Sequence, residues 1–197
     1  IFEDKVLALA TGERASSLRA RGLVIAIGAY DRPVPFPGWT LPGVFTAGGA
    51  QAFVKSQRVL PGRRALLAGT GPLQLVVAAQ LAKAGMEVAG VVELSRMEHL
   101  WRYAPRVWRH VGMLWEGFDY WRTLRKFGVP ILTGHVIVRA EGTDEVRQAT
   151  IARADDDGRP VPGTERSFDV DTLCIGYGFV PSTELSRLAG CEHRYAP

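Results

Sequence analysis

Residues 64–93 read RALLAGTGPLQLVVAAQLAKAGMEVAGVVE. The opening RALLA (Arg64–Ala68) is a short apolar run of buried-strand type, and Gly69–Gly71 supplies a turn. Pro72–Ala84 is apolar on most faces of a helix. Pro72 suits its first turn, where a missing N–H costs nothing. Gly85 ends the helix, and EVAGVVE (Glu87–Glu93) is a second strand. Strand, turn, helix and strand make one βαβ unit, which favours a parallel sheet with helices on its faces.

A glycine turn between a buried strand and a helix lets the backbone approach a pyrophosphate. It also aims the first helical N–H groups, and the positive end of the helix dipole, at that anion. Gly69, Thr70, Gly71, Pro72, Leu73 and Gln74 are therefore the candidate phosphate-binding run. Gln74 stands where the full fingerprint has a third glycine. Glu93 lies 24 residues after Gly69, at the end of the second strand. A carboxylate there accepts hydrogen bonds from an adenosine ribose and repels a 2′-phosphate, which favours NAD over NADP. Leu94 adjoins it, and Arg96, three residues past Glu93, reads either as a partner for adenine or phosphate or as a solvated surface cation. A tight βαβ turn with no nucleotide is the plainer alternative.

The surrounding chain bounds the answer. It has 197 residues, 47% apolar and 22% charged, with a mean hydropathy of +0.02. That describes a soluble globular protein and argues against disorder. The 22 Gly and 12 Pro follow no period, and no apolar run reaches the roughly 18 residues of a membrane span. The chain starts at Ile1 without a secretory leader and reads as a piece of something longer. Cys174 and Cys191 are too few for a disulfide framework and form no CxxC, so a reducing, cytoplasmic setting is expected. A net charge of +4 is weak support for nucleic acid as a partner.

Lys5–Ala10 is strand-like, a turn at Thr11–Arg14 contains Gly12, and Leu23–Ile27 reads as a buried strand closed by Gly28. Asp31–Gly43 (DRPVPFPGWTLPG) holds four prolines and two glycines and should be an extended surface connection or hinge. Residues 94–127 are expected to be helical, followed by a strand at Ile131–Ala140. Val146–Ala154 and Arg166–Val170 then form a meander around the turn-rich DDDGRPVPG loop, and Thr172–Ile175 is a last buried strand ending in Gly176.

Ile25–Tyr30, Arg32-Pro33, Pro35–Gly38 and LPGVFTA (Leu41–Ala47) resemble the segment where flavoproteins with two dinucleotide domains leave their FAD domain. DTLCIGYGFVP (Asp171–Pro181) resembles the segment where the chain returns. Between them lies the glycine turn, where that family carries an inserted NAD(P) domain. The chain is thus similar, over nearly its whole length, to the pyridine nucleotide–disulfide oxidoreductase superfamily. GTGPLQL, the Trp-rich stretch and GYGFVPSTEL look like its FAD-dependent amine and amino-acid dehydrogenase branch, the opine oxidase, hydrogen cyanide synthase and sarcosine oxidase large-subunit type. The resemblance implies Gly69, Gly71 and Glu93 around NAD, Gly28 beside FAD, and Gly176 near the nicotinamide. Ile27 stands where the family usually has Thr, and no CxxC is present for dithiol chemistry. Neither the amino-terminal FAD fingerprint nor the late Gly-Asp motif is found, so FAD is expected only in the full-length protein and the segment alone is expected to be inactive.

Trp101, Trp108 and Trp115 recur at intervals of seven, with Trp121 beyond them. Such a face serves core packing by default, or contact with partner subunits or a second copy. Arg102, Arg106 and Arg109 share another face, diluted by Glu98, Glu116 and Asp119, which argues against nucleic acid. The four histidines are scattered and no metal site is expected; Asp155–Asp157 reads as a solvated turn. No catalytic residue is assigned, because nicotinamide and flavin carry such chemistry themselves. The expected fold is a three-layer, Rossmann-like α/β dinucleotide-binding domain with a β-meander, flanked by crossover strands of an incomplete FAD domain. Residues 1–52 are its exit segment and hinge, 62–170 the NAD(P)-binding-like domain, and 171–197 the return strand. The function expected is to hold NAD(H) for hydride exchange with flavin. The alternative is a scaffold holding ADP, ATP or nothing in a multi-subunit amine or amino-acid dehydrogenase.

Overall fold

A computed structural model describes residues 5–96 and 111–194, with side chains left aside for 111–116. The chain divides into two compact units, Ile1–Tyr30 with Phe179–Pro197, and Asp31–Gly178.

In the larger unit a five-stranded sheet is parallel throughout. In spatial order its strands are β4 (Val44–Thr46), β11 (Thr172–Gly176), β5 (Arg64–Gly69), β6 (Glu87–Glu93) and β7 (Ile131–Thr133). β5 and β11 are buried along almost their whole length, as continuous apolar strands covered on both faces must be. Successive residues of β5 serve opposite faces. Ala65 and Leu67 join a core with Val77, Ala78 and Leu81 of α2 (Pro72–Lys83), Leu124 of α3 (Val111–Lys126), and Ala47 and Ala50 of α1 (Ala47–Ala52). Leu66 and Ala68 join a second core with Ile137, Ala149 and Ile151. Those residues belong to an antiparallel meander of β8 (His135–Glu141), β9 (Gln148–Arg153) and β10 (Arg166–Asp169). The unit is therefore three-layered, as expected, with helices on one face of the parallel sheet and the meander on the other. The βαβ start alone would favour helices on both faces; here the meander takes the second.

β5, α2 and β6 stand where residues 64–93 placed them. The expected strand Ile131–Ala140 is in fact two. Gly134, at φ +67, turns the chain out of β7 in the parallel sheet and into β8 in the meander. The helix expected over 94–127 is seen at Val111–Lys126; Leu94 and Ser95 form a bend, and the expectation for 97–110 lies outside the described residues. The proline-rich connection is not loose. The carbonyls of Pro37, Pro42 and Gly43 accept the N–H groups of Ala140, Val146 and Leu173.

In the smaller unit β1 (Val6–Thr11) and β2 (Arg14–Arg19) form an antiparallel hairpin, with Gly12 at φ +59 in its turn. β3 (Ala29–Asp31) pairs with β12 (Phe179–Pro181), and α4 is Glu184–Leu188. Leu23–Ile27 is not a strand: no described residues pair with it, and Val24 is 91% exposed. An apolar run becomes a strand only where a ladder and a covering layer receive it.

Candidate functional site

The carboxyl ends of β11, β5 and β6 lie side by side, and β5 is the strand from which the order departs both ways. Ligands of open α/β sheets bind in the crevice at such a switch point. Gly176 ends β11, Gly69 ends β5 and Glu93 ends β6, with Gly176 paired to Gly69 and Gly69 to Glu93 in register. The topology thus brings three of the sequence candidates together from residues more than 100 positions apart.

The turn itself is tightly determined. The Thr70 N–H donates to the Gly176 carbonyl at 2.9 Å. Gly71 has φ +93, and nothing lies within 4 Å of where its side chain would stand, so the space above it is open. It is the N-cap of α2, receives no side-chain cap, and is followed by Pro72. A 12-residue helix thus begins with its amide groups uncovered by its own side chains, a feature that suits an anion.

Glu93 bends back over this turn. Its Oε2 accepts the Gly71 N–H at 3.0 Å, while Oε1 accepts the Ser95 N–H at 2.9 Å and the Thr70 hydroxyl at 3.1 Å. The Ser95 and Thr70 hydroxyls lie 3.1 Å apart. Three donors fix the carboxylate, two on Oε1 and one on Oε2, and the one remaining lone-pair site, on Oε2, can take a ribose hydroxyl.

Gln74 lies beneath the turn and does not obstruct it. The side chain is fully buried, and its Nε2 donates to the carbonyls of Gly176 at 2.9 Å and Ala68 at 3.2 Å. A side chain on Gly69 or Gly176 would collide with this amide. Glycine at both positions is what makes room for glutamine at the third place of the fingerprint.

Leu94 and Arg96 continue past Glu93 into the bend. Arg96 Nη2 donates to the Ala154 carbonyl at 2.8 Å, and Nη1 pairs with Asp156 at 2.9 Å. Leu73 opens α2 half-buried against the helical core. Gly28 belongs to the other unit, at φ +74 with open space around it. Ser95, Ala154 and Asp156 escaped sequence reading because only the pairing of β7 and the turn at Gly134 carry the β9–β10 loop to the end of β6. Tyr177 also escaped it: burial, with the Glu93 charge nearby, pushes its phenol up to about 12.

Of the aromatic stretch, Trp101 and Trp108, with Arg102, Arg106 and Arg109, lie outside the described residues. Trp115 has no described side chain. Trp121 is 39% exposed, stacked on Phe118 and topped by the Arg125 guanidinium. Among the described residues no group of three or more His, Cys, Asp or Glu could hold a metal ion. None of their helices is long and apolar enough to cross a membrane.

The model of the family described as pyridine nucleotide-disulphide oxidoreductase matches residues 1–196. Hydrogen cyanide synthase subunit HcnB of Pseudomonas aeruginosa is 37% identical over 193 residues, 98% of this chain and 42% of that protein. An opine oxidase subunit of Agrobacterium tumefaciens is 31% identical over 196 residues, 95% of this chain and 36% of that protein. A crystal structure of an FAD-dependent pyridine nucleotide-disulphide oxidoreductase from Desulfovibrio vulgaris superposes with a TM-score of 0.58 at 26% identity, covering 95% of this chain and 43% of the other. The chain spans less than half the length of these relatives. With the parallel sheet, the glycine turn and the acidic strand end in place, the chain belongs to the pyridine nucleotide-disulphide oxidoreductase family, whose members are flavin- and nicotinamide-type oxidoreductases.

Proposed function

We propose that this chain is the nucleotide-holding part of a flavin-dependent oxidoreductase and that the glycine turn binds NAD(H). In this reading residues 62–170 are the nucleotide domain, and residues 1–52 and 171–197 are segments of the FAD domain. The observation that carries it is the pairing of an α2 N-terminus with no side-chain cap of its own, open above Gly71, with a carboxylate fixed at the end of the neighbouring strand.

Each residue then has a defined task. Gly71 admits a pyrophosphate against the backbone, and the α2 amides of Leu73 and Gln74 face its charge. Glu93 orients the adenosine ribose through the one lone-pair site left on Oε2. Thr70 and Ser95 hold that carboxylate in place. Gln74 keeps Gly69 and Gly176 at contact distance, which fixes the floor of the site. Bound nicotinamide supplies or accepts a hydride, and the protein's share is to position it. Gly28 is open on one side for a flavin, but the described residues hold no second glycine turn on a helix N-terminus.

One observation favours a second reading, in which the site keeps ADP or ATP as a scaffold. Everything the geometry provides faces the adenosine diphosphate half, which NAD and ADP share. The matched relatives carry names of enzyme subunits, so partner subunits fit both readings. Anaerobic mixing of the full-length, FAD-loaded protein with NADH separates them. Bleaching of the flavin absorbance is expected; a flavin that stays oxidised while NADH is bound would favour the scaffold.

A further inference from the structure

The β9–β10 loop reaches the end of β6 and meets it at a shallow groove of about 250 Å³ lined by Ser95, Arg96, Asp155 and Asp156 among others. It is held there by backbone bonds: the Ala154 N–H donates to the Gly134 carbonyl, directly after the strand that pairs with Glu93. Arg96, three residues past Glu93, is the cation a nucleotide 2′-phosphate would meet at this strand end. It is not available. Its guanidinium is engaged at both ends, by Asp156 and the Ala154 carbonyl, and its stem lies against Gly134. What remains toward the ribose is the carboxylate of Glu93, held by the Ser95 N–H; Asp155 and Asp157 are taken up within their own loop, by its N–H groups and by Arg159.

We propose that Asp156 is a specificity-positioning residue: by clamping Arg96 from the meander loop, it denies the site a partner for a 2′-phosphate. This rests on the nucleotide reading above and adds a determinant far away in sequence. The Arg96 side chain is 37% exposed and that of Asp156 87% exposed, so the pair contributes little to folding and can be cut without unfolding the protein. A freed guanidinium has the planar fork that suits a phosphate.

The test is a calorimetric titration of the full-length protein with ADP and with 2′-phospho-ADP, probes that need no nicotinamide. Wild type is expected to prefer ADP. Asp156→Asn should shift the ratio of the two dissociation constants about three-fold toward 2′-phospho-ADP, the size of one exposed ion pair. Adding Arg96→Gln should cancel that shift, and Arg96→Gln alone should leave the ratio near wild type. If both probes bind and Asp156→Asn leaves the ratio unchanged, the clamp is overturned and the nucleotide reading stands. A shift that survives Arg96→Gln overturns it too, since bare loss of a negative charge would then be the cause. If wild type binds neither probe, the nucleotide reading and the clamp fall together.

Discussion

Gln74 has a shape that most third-position residues of a glycine turn lack: a long polar side chain with no exposed surface, bridging two carbonyls of adjacent strands. Its Nε2 supplies the donor that Ala68 and Gly176 would otherwise lack from that side, and its bulk fills the space left by two glycines. Gln74→Ala removes both, so a destabilisation of about 2–4 kcal/mol is expected, read as a lower urea midpoint. An unchanged midpoint would show that the bridge contributes nothing. Asp171 acts at the same scale. Burial alone would raise its carboxyl, but the N–H groups of Arg64 and Arg63 and the Thr172 hydroxyl outweigh it and hold it below the usual 3.8. A depressed acid contributes stability above its unfolded value, lost as pH falls through the folded one. The urea midpoint of Asp171→Asn should therefore lie below wild type at pH 7, by about 1 kcal/mol because the carboxylate is partly solvated. The gap should narrow as pH falls below 3.8 and on through the lower folded-state value; a gap that acid leaves unchanged would assign it to shape and not to charge.

At the scale of elements, Gly134 decides which sheet the chain serves. At φ +67 it ends β7 beside Glu93 and starts β8 in the other layer. A side chain there would be strained by the backbone and would press on the Arg96 stem, 3.3 Å away. Gly134→Ala should lower stability by about 1–2 kcal/mol and weaken nucleotide binding together; a change in neither would mean the turn adapts. This switch also shows what the sequence could carry. β5, α2 and β6 are legible because an unbroken apolar run, a proline-opened helix and a glycine stop each act locally. Ile131–Ala140 reads as one strand because apolar, β-favouring residues stand on both sides of Thr133-Gly134-His135, and no local signal says that the two halves enter different sheets. The same limit hides Asp156, whose turn is legible while its contact with Arg96 is a product of tertiary pairing. Leu23–Ile27 fails for the opposite reason: its apolarity is real, yet the described residues supply no ladder to receive it.

For the larger unit as a whole, the parallel sheet lies between a helical layer and a β-meander, and each core draws its residues from one face of β5 and β11. Cys174 sits in the middle of that arrangement, and burial pushes its thiol up to about 12. Cys191 is exposed in the other unit, and both cysteines are free. A brief pulse of a thiol reagent at neutral pH should label the peptide carrying Cys191 and spare that carrying Cys174 until denaturant is added. Rapid labelling of Cys174 in the native protein would mean that the sheet opens far more readily than its burial implies.

In the proposed function the glycine turn and Glu93 hold a nicotinamide dinucleotide. Calorimetric titration of the full-length protein with NADH, with ADP and Glu93→Ala beside it, measures this. NADH should bind more tightly than ADP, and Glu93→Ala should weaken NADH by about ten-fold, the loss of one charge-assisted bond to the ribose. ADP binding as tightly as NADH, or Glu93→Ala leaving NADH affinity untouched, would show that the site does not hold the nicotinamide dinucleotide in this way.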